Sequence, residues 1–534
     1  MLAALAVTLA ACGGDDDDAG GDDPLAPAET VSASDPADTS PPASVADDTG
    51  ATDAADAPAA TGGTLTIAAV VDNNSFDPKD FRLGHYVQYW MPVYDTLLVL
   101  TPDGELQPNV ATEWSYNDDN TVLTLALQDG ITFTDGEVFN ADAVKVNIEH
   151  RRDGGGPFAN YVGAVADVVV VDDLTVELHL SRPDPQLLYG LAVVGGVMAS
   201  PAAIAAGSLA TSPVGSGAYT LDEGATTPGT EYVFVRNPGY WNPDAYAYDS
   251  IVIKPITDIQ ARLNAIQSGQ ADTGIIDVPN AATAEDAGLR VDTTPVDWQG
   301  LVIADRGGEV VPALGDVRVR QAINMVFDKD AFVESVIKGR GEATSQVFGT
   351  RSDAYDPELE GYYSYDVEGA KQLMADAGYA DGFEVTMPEI TGFQQINPII
   401  AQQLDQIGIT VNYEQIPPDT VIPELLSGRF PMYFFSLGSQ SAGEDVEKLL
   451  TPTSPWNTSK YEDPDLVALI DAAARATGDD QVAAMQEVNR YVVENAWFAP
   501  IYRVETIIAS NASVDVTPHA LWVAPFPRDY RPSS

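Results

Sequence analysis

Eighty carboxylates, four histidines and one thiol carry most of the reactive chemistry in this chain of 534 residues. His85, His150, His179 and His519 are too widely scattered to make a His-Glu-x-x-His pair, and a lone cysteine excludes Cys-x-x-Cys, so no zinc site is spelled out. No Gly-x-Ser-x-Gly elbow, Walker loop or Gly-x-Gly-x-x-Gly turn occurs, and Ser216 in "VGSGAY" lacks the strand–Ser–helix setting of a nucleophile. The acids could supply a glycosidase pair by number, but no spacing singles one out. The expectation is a protein that is not an enzyme and uses neither cofactor nor metal.

The thiol has its own chemistry. Cys12 follows MLAALAVTLAA, a run the length of a signal-peptide core and far short of the roughly 20 residues that span a bilayer. Leu9-Ala10-Ala11-Cys12 resembles a bacterial lipobox, so Cys12 is expected to be cut free at its amino group and lipidated on sulfur. A signal should open on Lys or Arg, yet the first basic residue is Lys79, and the start is expected to have lost a few residues. Residues 12–63 then read as an acidic leash. Positions 13–62 hold 13 acids and no Lys, Arg or aromatic, a composition that cannot bury enough surface to fold. Such a leash reaches roughly 40 Å. With one cysteine there is no internal disulfide, and the body must rely on its core.

Removing those 13 acids leaves 67 acidic against 26 basic residues, a net charge near −41 that argues against nucleic-acid binding. The body, some 470 residues, is too long for one core. Apolar alternation predicts strands at 64–71, 121–127, 174–180, 231–236, 409–413 and 432–436. Asn140, Asp366 and Asp463 stand where helix caps are needed, and Asn397-Pro398 opens a further helix. In "DVRVRQAINMV", Val319, Ala322, Ile323 and Val326 form a helical stripe, and the arginines are expected in ion pairs. The class is α/β, mixed sheets with flanking helices.

Seven phrases in fixed order then point to a family. They are "FDPKD" (76–80), the long segment 93–149 from "VYDTLLVL" to "ADAVKVNIE", "SPVGSGAYTL" (212–221), "RNPGYW" (236–241), "AIQSGQAD" (265–272), "DVRVRQAINMVFDKDAF" (316–332) and "AKQLMADAGYADGFEVT" (370–386). Across residues 64–510 the chain resembles the extracellular solute-binding proteins of oligopeptide, dipeptide and nickel importers, bacterial solute-binding protein family 5. The resemblance implies a two-lobed, periplasmic-binding-protein-like (Venus-flytrap) fold. Lobe I would take 64–297 with an extra subdomain near 98–212, lobe II 298–499, and 500–534 would return to lobe I.

The implied function is a lipid-anchored extracytoplasmic subunit of an ABC importer. It would capture a peptide or similar polar solute by hinge closure and deliver it to permease subunits, as a monomer moored to the membrane through Cys12. A ligand sensor for a membrane receptor and a secreted hydrolase are the alternatives. Residues expected to face the cleft are Tyr89, Trp90 and Met91 in one lobe, Trp298 at the crossing, and Phe393, Tyr433, Phe435, Ser436 and Ser439 in the other. Trp298 either stacks on cargo or packs between lobes; aromatics offer stiff surfaces and hydroxyls fix orientation. Peptide-binding members often place Trp and then Asp, a partner for the α-ammonium, after the strand that reads "MYFFS" here. This chain has Leu437 and Gly438 instead, and its acids come later at Glu444 and Asp445: either one of these reaches back to substitute, or the cargo is a sugar, an opine-like compound, another polar metabolite or chelated nickel.

Overall fold

The computed structural model describes residues 62–533 except 391, 418 and 419, and omits the side chain of Val296. Cys12, the signal stretch and nearly all of the acidic leash lie outside the described residues. The largest sheet has nine strands, numbered here in chain order: β1 (Thr64–Ala69), β2 (Tyr219–Leu221), β3 (Tyr232–Arg236), β4 (Ser250–Pro255), β5 (Thr273–Ile276), β6 (Arg290–Ile303), β7 (Gly341–Ala343), β8 (Met432–Gly438) and β9 (Phe498–Ser510). Their order is β2-β3-β4-β1-β5-β9-β6-β8, with β7 also on β9. Only β1 runs parallel to its neighbours, β4 and β5.

The fold is two-lobed because the apolar side chains gather around separate centres. One core draws on Leu65 to Ile253 and on Ile508 to Tyr530. Two others draw only on residues between Trp298 and Tyr502. β6 and β9 are long enough, at 14 and 13 residues, to serve both sides. They pair antiparallel along their length, with register shifts between Pro295 and Asp297 and between Gln299 and Gly300. Such irregularities weaken the ladder locally and re-aim side chains. Residues 297–298 and 499–500 lie in this stretch.

A separate antiparallel sheet, in the order Ala111–Tyr116, Val122–Leu127, Thr175–Leu180, Val165–Asp172, lies within 98–212 and carries the helix Ala141–Asp153. The local signals account for most of these elements. Asn140 accepts from the Ala143 amide at 3.0 Å, and Asp366 from Gly369 at 2.9 Å. Val319, Ala322, Ile323 and Val326 are all buried. Gly215 and Gly217 pass so close to Val93 that a Cβ would lie 2.2 Å and 2.4 Å from its backbone. One expectation needs correction. Arg318 pairs with Asp316 as expected, but Arg320 is buried and donates to the carbonyls of Leu314, Gly315, Asn495 and Ala496. It joins chain segments by satisfying carbonyls that burial would otherwise leave unpaired, not by an ion pair.

Candidate functional site

Alternation along β6 decides which side chains face the gap. Trp298 is fully buried, edge-on to Phe498 at 5.6 Å, and lies opposite Leu437 of β8. Successive strand residues point to opposite faces, so Asp297 and Gln299 point away from that core. There Gln299 donates to the Ser436 hydroxyl at 3.4 Å, and Ser436 donates to Asp297 Oδ2 at 3.4 Å.

After β8 the chain turns into the helix Ala442–Leu449. Ser441 caps it by accepting from the Glu444 amide at 3.2 Å, which sets Glu444 and Asp445 in the first turn, where the helix dipole favours negative charge. Lys448, one turn on, donates to Glu444 Oε2 at 2.8 Å, to Asp445 Oδ1 at 2.8 Å and to the Gly438 carbonyl at 2.5 Å. Ser439 donates to Asp445 Oδ2 at 2.5 Å and accepts from the Gly349 amide. Lys448 thus pairs directly with Glu444 and Asp445, and Asp297 feels the same ammonium without touching it. Three carboxylates cannot all be neutralised by it. Burial pushes the Glu444 carboxyl up to about 7, with Asp445 adding to the rise and Lys448 opposing it. Burial likewise raises Asp297, against the pull of Lys448 and the Ser436 hydrogen bond. Lys448 is held in its charged form: burial disfavours the ammonium, but Asp445 and Glu444 outweigh it.

Glu444 and Lys448 of this cluster stand on the wall of a cavity of about 470 Å³. Glu444, Glu447, Lys448 and Trp456 come from one side, Phe158, Tyr161 and Gln186 from the segment 157–186 opposite. That volume is within the range of small-ligand sites. Tyr161 Oη and Gln186 Nε2 are buried beside one another here, close enough to interact, and neither has another hydrogen-bond partner among the described residues. A phenol and a carboxamide side by side on a cavity wall keep spare hydrogen-bonding capacity that a polar occupant can use. Burial, then the charge of Glu444, pushes the Tyr161 phenol far above its ordinary range, so it stays a neutral donor. The two sides also touch. Arg182 lies 3.5 Å from Glu447, Asn120 donates to the Arg475 carbonyl at 3.4 Å, and a Cβ on Gly443 would lie 3.2 Å from the Gln186 amide nitrogen.

Of the residues singled out in the sequence, Glu444 alone lines this cavity. Phe435 reaches it through Trp456, at 5.3 Å between ring centres, and packs on Phe393 at 6.1 Å. Ser436, Ser439 and Asp445 stand behind Glu444 and Lys448 as hydrogen-bonding support. Trp298 and Tyr433 are core. Tyr89, Trp90 and Met91 belong to the first core: Tyr89 donates to the Val71 carbonyl at 2.7 Å and Trp90 stacks on Phe81 at 5.1 Å. Sequence reasoning missed Asp297, Lys448, Tyr161, Gln186 and Trp456. Asp297 was available as the neighbour of Trp298 with opposite strand parity, and Lys448 as the i+4 partner of Glu444. The histidines do not meet. His150 and His179 face Asp77 and Glu177, while burial holds His85 and His519 neutral, at about 4 and about 3.

Residues 105–459 match the family described as bacterial extracellular solute-binding proteins, family 5 middle. The chain belongs to that family. Among curated relatives it is 28% identical over 329 residues to the glutathione-binding protein GsiB of Escherichia coli O1:K1, an alignment covering 59% of this chain and 62% of GsiB. The match therefore spans somewhat less than two thirds of that relative. The fold is similar to that of the periplasmic binding protein DppA of Helicobacter pylori in complex with the peptide STSA, with a TM-score of 0.72 at 20% identity, covering 89% of this chain and 99% of DppA. It is also similar to NikA of Brucella suis in complex with Fe(III)-EDTA, with a TM-score of 0.76 at 23% identity, covering 88% of this chain and all of NikA. Proteins of this one fold thus hold very different ligands, and cargo has to be argued from the residues. Among the described residues no helix is long and apolar enough to cross a membrane.

Proposed function

We propose that this family 5 protein captures a small polar solute bearing a free cationic group, a peptide foremost, between its two lobes and delivers it to the permease of an ABC importer. The observation that carries this reading is the 470 Å³ cavity with Glu444, Glu447 and Lys448 on one wall, buried Asp445 behind them on the same ammonium, and the polar groups of Tyr161 and Gln186 opposite. A cargo ammonium beside Glu444 would restore charge balance, and its carbonyls or hydroxyls would satisfy Tyr161 and Gln186. β6 and β9 at 297–298 and 499–500 serve as the hinge, with lobe I at 64–297 plus 500–534 and lobe II at 298–499. Ligand favours the closed form because only there does it touch both walls. Cys12 is the lipid anchor, the body works as a monomer outside the cytoplasm, and no bond in the cargo is broken.

The test is calorimetric titration with zwitterionic tri- and tetrapeptides and their N-acetylated counterparts. Free amino termini are expected to bind at least ten-fold more tightly. Equal affinity, or cleavage of the peptides on incubation, overturns the proposal.

A further inference from the structure

Beyond the Arg182–Glu447 contact lies a second cavity, of about 630 Å³, between the loops 118–121 and 182–185 of the extra subdomain and the helices Ala442–Leu449, Pro464–Arg475 and Gly478–Glu494. Its floor is apolar: Val446, Val467, Ile470, Ala474 and Met485. Its two arginines are matched, Arg182 to Glu447 and Arg475 to Asp471 at 3.9 Å, and its remaining charges, Asp118 and Asp119, come from the loop 118–121 and not from the helices that make the floor. Glu447 lines both cavities, and the pair it makes with Arg182 is solvent-exposed on both partners. Exposed pairs of this kind hold weakly and open readily. Helices supply the floor and Pro183 and Pro185 the cover, so the space is complete when the two walls are together.

We infer that this second cavity is a subsite for an apolar side chain of the same cargo, whose cationic end lies beside Glu444. The occupant is argued from the continuity through Glu447 and from the chemistry of the floor, where water gains little and an apolar group loses its contact with solvent. The inference rests on the peptide reading above and narrows it: the cargo is elongated, with a charged head and an apolar body, and is longer than a single amino acid.

Titrations at pH 8 with Lys-Gly-Gly-Gly and with the three peptides carrying Leu in place of one Gly test it. At least one Leu peptide is expected to bind ten-fold or more tightly than Lys-Gly-Gly-Gly. Ile470→Trp, which fills the cavity from a half-buried position, is expected to bring that ratio close to one; Ile470→Ala, which enlarges it, reduces the ratio several-fold and serves if the Trp variant does not fold. If all four peptides bind equally, the subsite is overturned while the peptide reading stands. If none binds, the peptide reading fails and the subsite falls with it.

Discussion

Glu444 should make cargo binding depend on pH in a way no surface carboxylate would. Its carboxyl is pushed up to about 7 by burial, and only the ionised form attracts an ammonium. Between pH 8, where it is mostly ionised, and pH 5.5, affinity for a peptide with a free amino terminus should fall roughly 30-fold, since each unit below the pKa costs about a factor of ten. Stability should move the other way. The folded pKa lies above the ordinary 4.5, so between 4.5 and 7 the folded protein holds the proton more tightly than the unfolded chain does. The contribution of Glu444 to apo stability is therefore lost as pH rises through that window, by up to about 3 kcal/mol. Glu444→Gln removes both effects: affinity drops and flattens with pH, while the apo protein at pH 8 melts a few degrees higher. Titration calorimetry from pH 5.5 to 8, with melting curves of both proteins, checks this. A wild-type affinity that is flat across the range, or a Gln variant that keeps the wild-type slope, refutes the reasoning.

Gly443→Leu should weaken cargo binding at least ten-fold with little change in melting temperature, because even its Cβ would meet the Gln186 backbone at 3.2 Å when the two walls are together; small-angle scattering should show the variant remaining expanded with peptide present. Trp298→Ala should act as a core deletion, lowering stability by about 3–5 kcal/mol, measured by chemical denaturation, since its ring is fully buried against Phe498. Gly215→Ala should also destabilise, read as a lower melting temperature, because the new methyl would sit 2.2 Å from the Val93 carbonyl.

What the sequence made legible was local. The caps at Asn140, Asp366 and Asp463 act within three residues of themselves, and each was found where the hydrogen bond forms. Strand alternation placed β8 at 432–436, and the structure extends it only to Gly438. The site was harder because its walls are far apart in the chain: Tyr161 and Gln186 meet Glu444 across some 260 to 280 positions, and no local pattern marks them. Aromatic side chains were the least reliable guide. Tyr89, Trp90, Trp298 and Tyr433 are just the large apolar groups a core needs, and which strand face is core depends on pairing partners 140 to 200 residues away. Of the acids, Glu444 stands on the cavity wall and Asp445 lies behind it, while the arginine of "VRVRQ" that was expected in an ion pair, Arg320, instead satisfies carbonyls in the interior.

Hydrogen exchange read by mass spectrometry, with and without a saturating peptide, tests the clamp most directly. The account predicts slower exchange on both walls at once, around 158–161 and 186 on one side and 441–448 on the other, with the Val165–Leu180 hairpin unchanged. Protection confined to one wall, or elsewhere altogether, would contradict it.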